Sequence, residues 1–244
     1  MTQPMIPRRR GAYGIDAPYG PAFMAVVAAL ELSLAVSFGN VRNLLAGLFI
    51  LAILGIYLHG TLRGKFVVWA KLLETLNLRG DERILDMGCG RGAVLLMAAQ
   101  HLTTGRAVGV DLWRSVDQSG NSPEATQRNA VAEGVADRVE LHTGDMTALP
   151  FEDNSFDVVV SSLAIHNISG RAGREKAIDE AARVLRPGGR LMIADVPATR
   201  QYQAQLAKIG MSDVARRGLG WRFWWSGPWA VTGIVTATKP ERRI

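Results

Sequence analysis

The stretch Ile84-Leu85-Asp86-Met87-Gly88-Cys89-Gly90-Arg91-Gly92 decides the fold. An apolar run closed by an acid enters a turn with glycine at every second position, and a helix-like run, residues 93–101, follows. A strand, a glycine turn and a helix N-terminus in that order form a nucleotide-sized ligand site. The glycines let backbone approach a ligand with no Cβ in the way.

Two ligands compete for such a turn. Read as Gly88-x-Gly90-x-x-Ala93, it fits a dinucleotide fingerprint, with Asp111 downstream at a distance suited to a ribose. A nicotinamide-dependent oxidoreductase would follow. Read as Asp86-x-Gly88-x-Gly90-x-Gly92, it fits S-adenosylmethionine. Asp86 separates them. A carboxylate at the strand end repels a pyrophosphate seated on the next helix, whereas it suits a ligand carrying an ammonium and a sulfonium. The cationic ligand is favoured.

Outward from this turn the chain alternates. Strand-like runs fall at 83–87, 107–110, 139–143, 156–161 and 190–196, separated by helix-like runs at 93–101, 123–133 and 173–185. A further helical pattern covers 66–78. This predicts an α/β fold, a doubly wound, mostly parallel sheet with right-handed crossovers. Ligands of such sheets collect at the carboxyl ends of the strands. Asp86, Asp111, Gly144-Asp145-Met146 and Ser161-Ser162 all fall there, and carboxylates at three successive strand ends point to one polar ligand.

Several motifs in order now define a resemblance. From about Lys65 to Lys239 the chain resembles a class I S-adenosylmethionine-dependent methyltransferase. The matching segments are the 85–92 turn, Gly109-Val110-Asp111-Leu112-Trp113, Gly144-Asp145-Met146, the run from Leu149-Pro150-Phe151 through Val160, and Arg183-Val184-Leu185-Arg186-Pro187-Gly188-Gly189. The resemblance implies that Gly88, Gly90 and Gly92 line the methionine part of the cofactor, with Cys89 a small turn residue beside it and Asp86 facing the amino group. It implies that Asp111 accepts from the ribose hydroxyls, with Leu112 and Trp113 against the adenine. Asp145 would accept from the adenine amino group while Met146 packs on the ring. Ser161 would begin the loop facing the transferred methyl.

Transfer from a sulfonium needs an in-line nucleophile and a dry site, and a general base only where the nucleophile must lose a proton. His166, five residues after Ser161, is the candidate base; His101 and His142 lie away from the strand ends. The loop Ser162-Leu163-Ala164-Ile165 is not the Asn/Asp-Pro-Pro-aromatic run of methyltransferases acting on exocyclic base nitrogens, which counts against a nucleic-acid partner. The single cysteine excludes a thiolate metal cage within one chain and the several thiols that arsenic methylation needs, and no metal is expected. The acceptor is therefore expected to be a small molecule or lipid. A non-catalytic cofactor-binding scaffold at the membrane is the other alternative.

The 244 residues suffice for one domain and a small extension, and their net charge of +6 fits anionic partners. Residues 1–20 carry Arg8-Arg9-Arg10 among prolines and glycines and are expected to be a flexible basic tail. Within residues 21–60, two apolar runs at 22–38 and 44–58 are separated by Gly39-Asn40-Val41-Arg42-Asn43; the second is uncharged and the first holds Glu31. They are expected to form a transmembrane helical hairpin ahead of a methyltransferase domain at 61–244. Arg8 to Arg10 precede the hairpin and Arg63, Lys65 and Lys71 follow it, with Arg42 alone in its turn. By the positive-inside tendency both ends face the cytoplasm, giving a two-pass cell-membrane protein with an inward catalytic domain. If the runs are core helices instead, the protein is cytoplasmic. Downstream, the arginine-flanked segment Trp221-Arg222-Phe223-Trp224-Trp225 through Trp229 suits an interface belt, an apolar substrate mouth or a hairpin packed on the sheet.

Overall fold

The structure, a computed structural model, describes residues 9–241. Its centre is a seven-stranded sheet of β1 (Arg83–Met87), β2 (Arg106–Asp111), β3 (Val139–Thr143), β4 (Phe156–Ser162), β5 (Leu185–Asp195), β6 (Ser212–Gly218) and β7 (Gly233–Thr238). The spatial order is β3-β2-β1-β4-β5-β7-β6. The first five strands are parallel, and β7 runs antiparallel to both β5 and β6. The order reverses between β1 and β4, so a crevice opens beyond their carboxyl ends. The near-continuous apolar runs of β1 and β4 reflect burial on both faces.

Beyond the first two helices, α3 (Lys65–Glu74), α4 (Ala93–Gln100), α5 (Pro123–Glu133), α6 (Gly170–Val184) and α7 (Thr199–Lys208) cover the two faces. Local chemistry sets the limits of α5: Ser122 accepts from the Ala125 N–H, Pro123 opens the first turn, and left-handed Gly134 ends it. The Pro187-Gly188-Gly189 run, which falls between the predicted helix at 173–185 and strand at 190–196, lies within β5. There it forms an irregularity, with Phe156 pairing Leu185 but Val158 pairing Arg190.

Helices α1 (Tyr19–Phe38) and α2 (Val41–His59) form the antiparallel hairpin. They meet on small residues: Ala28 and Ala35 are buried, and a Cβ on Gly47 would run into Leu32. Apart from contacts of α2 with residues 16–17 and 221–229, the hairpin stands clear of the domain, with only 17% and 11% of its two apolar windows buried. That disfavours core helices. Glu31 accepts a 2.7 Å hydrogen bond from Asn43 on the opposite helix. Helix α2 continues through a π-helical turn at Gly60–Gly64 into α3.

Residues 9–18 correct the expectation of a free tail; Arg8 lies outside the described residues. The segment is strapped to the domain by hydrogen bonds that its basic, Pro/Gly-rich composition does not advertise. Glu133 accepts from the backbone of Arg10 and Gly11 and from the Tyr13 hydroxyl, Asn129 and Ala12 exchange hydrogen bonds, and Ser119 binds Ile15. Asp16 then accepts from Lys65 Nζ at 2.7 and 2.8 Å, from Thr61 Oγ1 at 2.7 Å and from Gln118 Nε2 at 2.9 Å, all buried. Lys65 is thus spent inside the fold and drops out of the exposed basic residues that flank the hairpin. Arg9, Arg10, Arg63 and Lys71 remain exposed on that side. Breaking one partner of a buried pair strands the other, at about 3–5 kcal/mol. Lys65→Met is therefore expected to lower the thermal midpoint, and the double change Asp16→Asn with Lys65→Met to lower it less. Equal midpoints for wild type and Lys65→Met would refute the strap's role.

Candidate active site

Beyond the ends of β1, β2 and β4 lies a cavity of about 470 Å³, within the range of small-molecule sites. Asp86, Gly88, Cys89, Gly90, Asp111, Leu112, Asp145, Met146 and His166 all line it. The sequence assigns the first eight to one ligand and His166 to the role of base, and the fold brings them to one space.

Gly88 (φ 73) and Gly90 (φ 51) hold left-handed backbone, and a Cβ on either would collide with protein, with Ala164 and Gln118 respectively. Close packing of the turn, as well as access for a ligand, therefore demands glycine there. The loop's donors are committed. Gly90 N donates to Asp111 Oδ2 at 2.8 Å and Arg91 N to Gln118 Oε1 at 2.7 Å. A pyrophosphate needs such N–H groups free, so this commitment counts against a dinucleotide. Trp113 N donates to Asp111 Oδ1 at 2.6 Å, so both carboxylate oxygens are aimed by backbone.

Asp86 is buried, and its Oδ1 has no hydrogen-bond partner among the described residues. Burial, only partly offset by the Leu95 backbone N–H and reinforced by the Asp111 charge, pushes its carboxyl up to about 7. A buried carboxylate lacking compensation fits a cationic ligand such as S-adenosylmethionine, whose ammonium would supply it. Asp145 is exposed, and the Thr147 N–H, donating at 2.8 Å, holds its carboxyl below the ordinary value and keeps it ionised. Burial pushes the Cys89 thiol well up, so it stays protonated and inert.

Three expected site residues do not line the cavity. Ser161 is buried and donates to the Met87 carbonyl at 2.8 Å, bracing β4 against β1; Ser162, held by the Trp69 indole at 2.8 Å, takes the lining position. A one-residue step along a strand reverses the face, which explains the exchange. Gly92 (φ 84) caps α4, where a Cβ would meet Leu96 and Thr126, so it serves helix packing. The Trp113 indole donates to Thr143 Oγ1 at 2.9 Å and packs on the core; its backbone N–H, not its ring, reaches the site through Asp111.

His166 sits in a short 3₁₀ turn after β4, and Asp195 ends β5. Their contact is 2.5 Å between His166 Nδ1 and Asp195 Oδ1, with His166 N donating to Oδ2 at 3.0 Å. Val196 N and the Tyr202 hydroxyl complete the acid's hydrogen bonds at 2.8 and 3.0 Å. Burial lowers the imidazole pKa, but the Asp195 hydrogen bond and charge outweigh it, and the net shift is upward. With an acceptor-only carboxylate on Nδ1, Nε2 is left as the basic nitrogen. A polar ligand held by the carboxylates can therefore face a base across one cavity. Asp195 was missed in the sequence although it obeys the strand-end rule applied to the other strands. Asp16 and Lys65, which also line the cavity, carried no local signal for it, whereas Trp225 lies in the aromatic segment that suits an apolar substrate mouth.

Residues 85–193 match the family model of a methyltransferase domain. The chain is 36% identical over 124 residues to the ubiquinone/menaquinone biosynthesis C-methyltransferase UbiE of Roseobacter denitrificans, covering 51% of this chain and 46% of that protein. It is 36% identical over 126 residues to methyltransferase GfsG of Streptomyces halstedii, covering 52% and 42%. The chain thus spans about half the length of the curated relatives it matches. Among solved structures, the cyclase SpnF is similar with a TM-score of 0.58 at 21% identity, covering 71% of this chain and 82% of that one. A geranyl diphosphate methyltransferase in complex with GPP and sinefungin gives 0.54 at 19%, covering 70% and 77%. These structures share the fold. Sheet order, the ordered motifs and the match over residues 85–193 support a class I S-adenosylmethionine-dependent methyltransferase domain in this chain.

Proposed function

We propose that the protein transfers a methyl group from S-adenosylmethionine to an oxygen, carbon or nitrogen atom of a small hydrophobic acceptor at the inner face of a membrane. One observation carries the reading: a single cavity holds the uncompensated Asp86 carboxylate and the His166–Asp195 pair. Asp86 would hold the cofactor's ammonium, with Gly88, Cys89 and Gly90 along its methionine part. Asp111 would accept from the ribose hydroxyls, and Leu112, Asp145 and Met146 would enclose the adenine. When bound, the cofactor supplies an electrophilic methyl on a sulfonium. The chain's residues orient the partners, exclude water and accept the acceptor's proton at His166 Nε2. S-adenosylhomocysteine and the methylated acceptor remain.

A related fold serves a cyclase, so the fold alone does not fix the reaction. The histidine–carboxylate pair favours an acceptor that must lose a proton over a non-catalytic scaffold. The exposed apolar hairpin and Trp225 at the cavity support an acceptor drawn from lipid, and the placement of Arg9, Arg10, Arg63 and Lys71 supports two-pass insertion with the domain on the cytoplasmic side.

Asp111→Asn should weaken binding of labelled S-adenosylmethionine about 10–100-fold, the worth of hydrogen bonds to a charged group. Asp111→Ala, which also frees the Gly90 and Trp113 N–H groups, should abolish it. Unchanged binding in both sinks the site assignment. Incubation with membrane extract and labelled cofactor tests the reaction: a lipid product heavier by one methylene supports it, and no cofactor consumption refutes it.

A further inference from the structure

The segment between β6 and β7 contains ten consecutive uncharged residues, Phe223-Trp224-Trp225-Ser226-Gly227-Pro228-Trp229-Ala230-Val231-Thr232. It is a closed loop. Trp224 bridges Val231, Trp225 N donates to the Ala230 carbonyl at 3.0 Å, and Ala230 N donates to the Gly227 carbonyl at 3.1 Å. Phe223, buried in the core under the sheet, pins its base. Gly227 (φ 136) lets the Trp229 ring fold back over the loop, since a Cβ there would lie 2.7 Å from the indole.

The loop runs alongside the apolar hairpin. Trp221 stacks on His59 with ring centroids 5.3 Å apart, Trp225 packs on Tyr57 at 5.1 Å, and Trp229 meets Phe49 at 6.4 Å. The ten residues from His59 to Phe49 cover about 15 Å of helix axis, so the tip stands well above the base along α2. Glycines make the fit at the base: a Cβ on Gly60 or Gly64 would run into the Trp224 or Arg222 carbonyl oxygen.

Charge and exposure are graded the same way. At the base, Trp221 is 53% exposed under the Arg222 guanidinium, 4.7 Å from its ring, and Arg216 and Arg217 lie exposed on β6. At the tip, Trp229 is 63% and Phe49 58% exposed, with no charged residue in the loop between them. Two large aromatic side chains left bare, continuous with an apolar helix and underlain by arginines, match the profile of a lipid interface. Irregular backbone at membrane depth is tolerated where it packs on protein, and here it packs on α2 and closes part of its own hydrogen bonding.

We propose that residues 224–231 form a third membrane-embedded element, a loop that enters the inner leaflet beside α2. Trp225, which touches Tyr57 on the hairpin and lines the cavity, is then the partition between lipid and active site. The inference rests on the hairpin being in the bilayer.

The full chain in phosphatidylcholine/phosphatidylglycerol nanodiscs carrying acyl-chain nitroxide lipids tests it. A fluorophore is placed on Trp229→Cys, on Leu45→Cys in α2 and on Glu152→Cys on the domain surface; native Cys89 is buried. The expected result is several-fold stronger lipid quenching at 229 than at 152, comparable with 45, and little quenching at 229 by aqueous iodide. Ser226→Cys, which keeps every tryptophan, should behave as 229 does. Iodide quenching at 226 and 229 equal to that at 152, with 45 quenched by lipid, overturns the loop's insertion while leaving the hairpin in place. Lipid quenching at none of these positions overturns both. None of these outcomes depends on the acceptor or on methyl transfer.

Discussion

His166→Ala is expected to lower kcat for methyl transfer about 10²–10³-fold while leaving cofactor affinity within threefold of wild type. The size is that of a lost general base, and the split follows from the roles proposed across the cavity, His166 for the acceptor's proton and the carboxylates for the cofactor. Asp195→Asn should cost less, because an amide can still hold the ring but does not favour the imidazolium that forms. The pH profile separates this role from a structural one. The base works unprotonated, and its pKa is raised by Asp195 against the lowering effect of burial, so the acid limb of kcat/KM lies above the ordinary histidine value. In Asp195→Asn the two largest raising causes are gone and only the Asp117 charge is left to oppose burial and Arg174, so the limb moves to lower pH. A limb that stays put would show that His166 is not the titrating base. Stability has its own signature: the folded pKa is raised, so this group's contribution is full below about 6.5, the unfolded value, and is lost as pH rises through the folded value.

Asp86 gives the second large effect. Its folded pKa of about 7 stands above the ordinary value of 3.8, so folding favours the protonated form. The stability this confers is full below about pH 4 and is lost as pH rises through 7, about 4 kcal/mol in all at about 1.4 kcal/mol per unit. Asp86→Asn, free of that ionisation, should therefore raise the thermal midpoint of the cofactor-free protein at pH 8 and change it little at pH 4. Ligand binding runs the other way. An ammonium beside Asp86 favours its ionised form, so below pH 7 binding expels a proton, and affinity for S-adenosylhomocysteine should fall by up to tenfold per unit. Asp86→Asn should bind about 10–100-fold more weakly at pH 8 and lose that pH dependence. Calorimetry showing wild-type affinity and wild-type proton release in the variant would remove Asp86 from the ligand's cationic end.

Both predictions depend on groups that differ in how far apart they lie along the chain. Asp86, Gly88, Gly90 and Asp111 were legible because a strand end, a tight turn and a helix start are adjacent in sequence, and their residue types follow from local backbone geometry. Asp145 and Met146 were read from the same strand-end rule and Leu112 from the family resemblance, and all three line the cavity. Ser161 failed by one residue, since alternation along β4 hands the cavity to Ser162. Gly92 and Trp113 have the expected residue types but serve helix packing and the aiming of Asp111.

The sequence by itself determined the order of strands and helices, the glycine turn, the three carboxylates and the apolar hairpin, because each is written in spacing over a few residues. Only the tertiary structure decided that Asp195 holds His166, that Asp16 locks Lys65 and the N-terminal strap over the site, and that Trp225 joins the hairpin to the cavity. Those partners lie 29, 49 and 168 residues apart, and contacts at such separations are fixed by sheet order and packing rather than by any local preference of the chain.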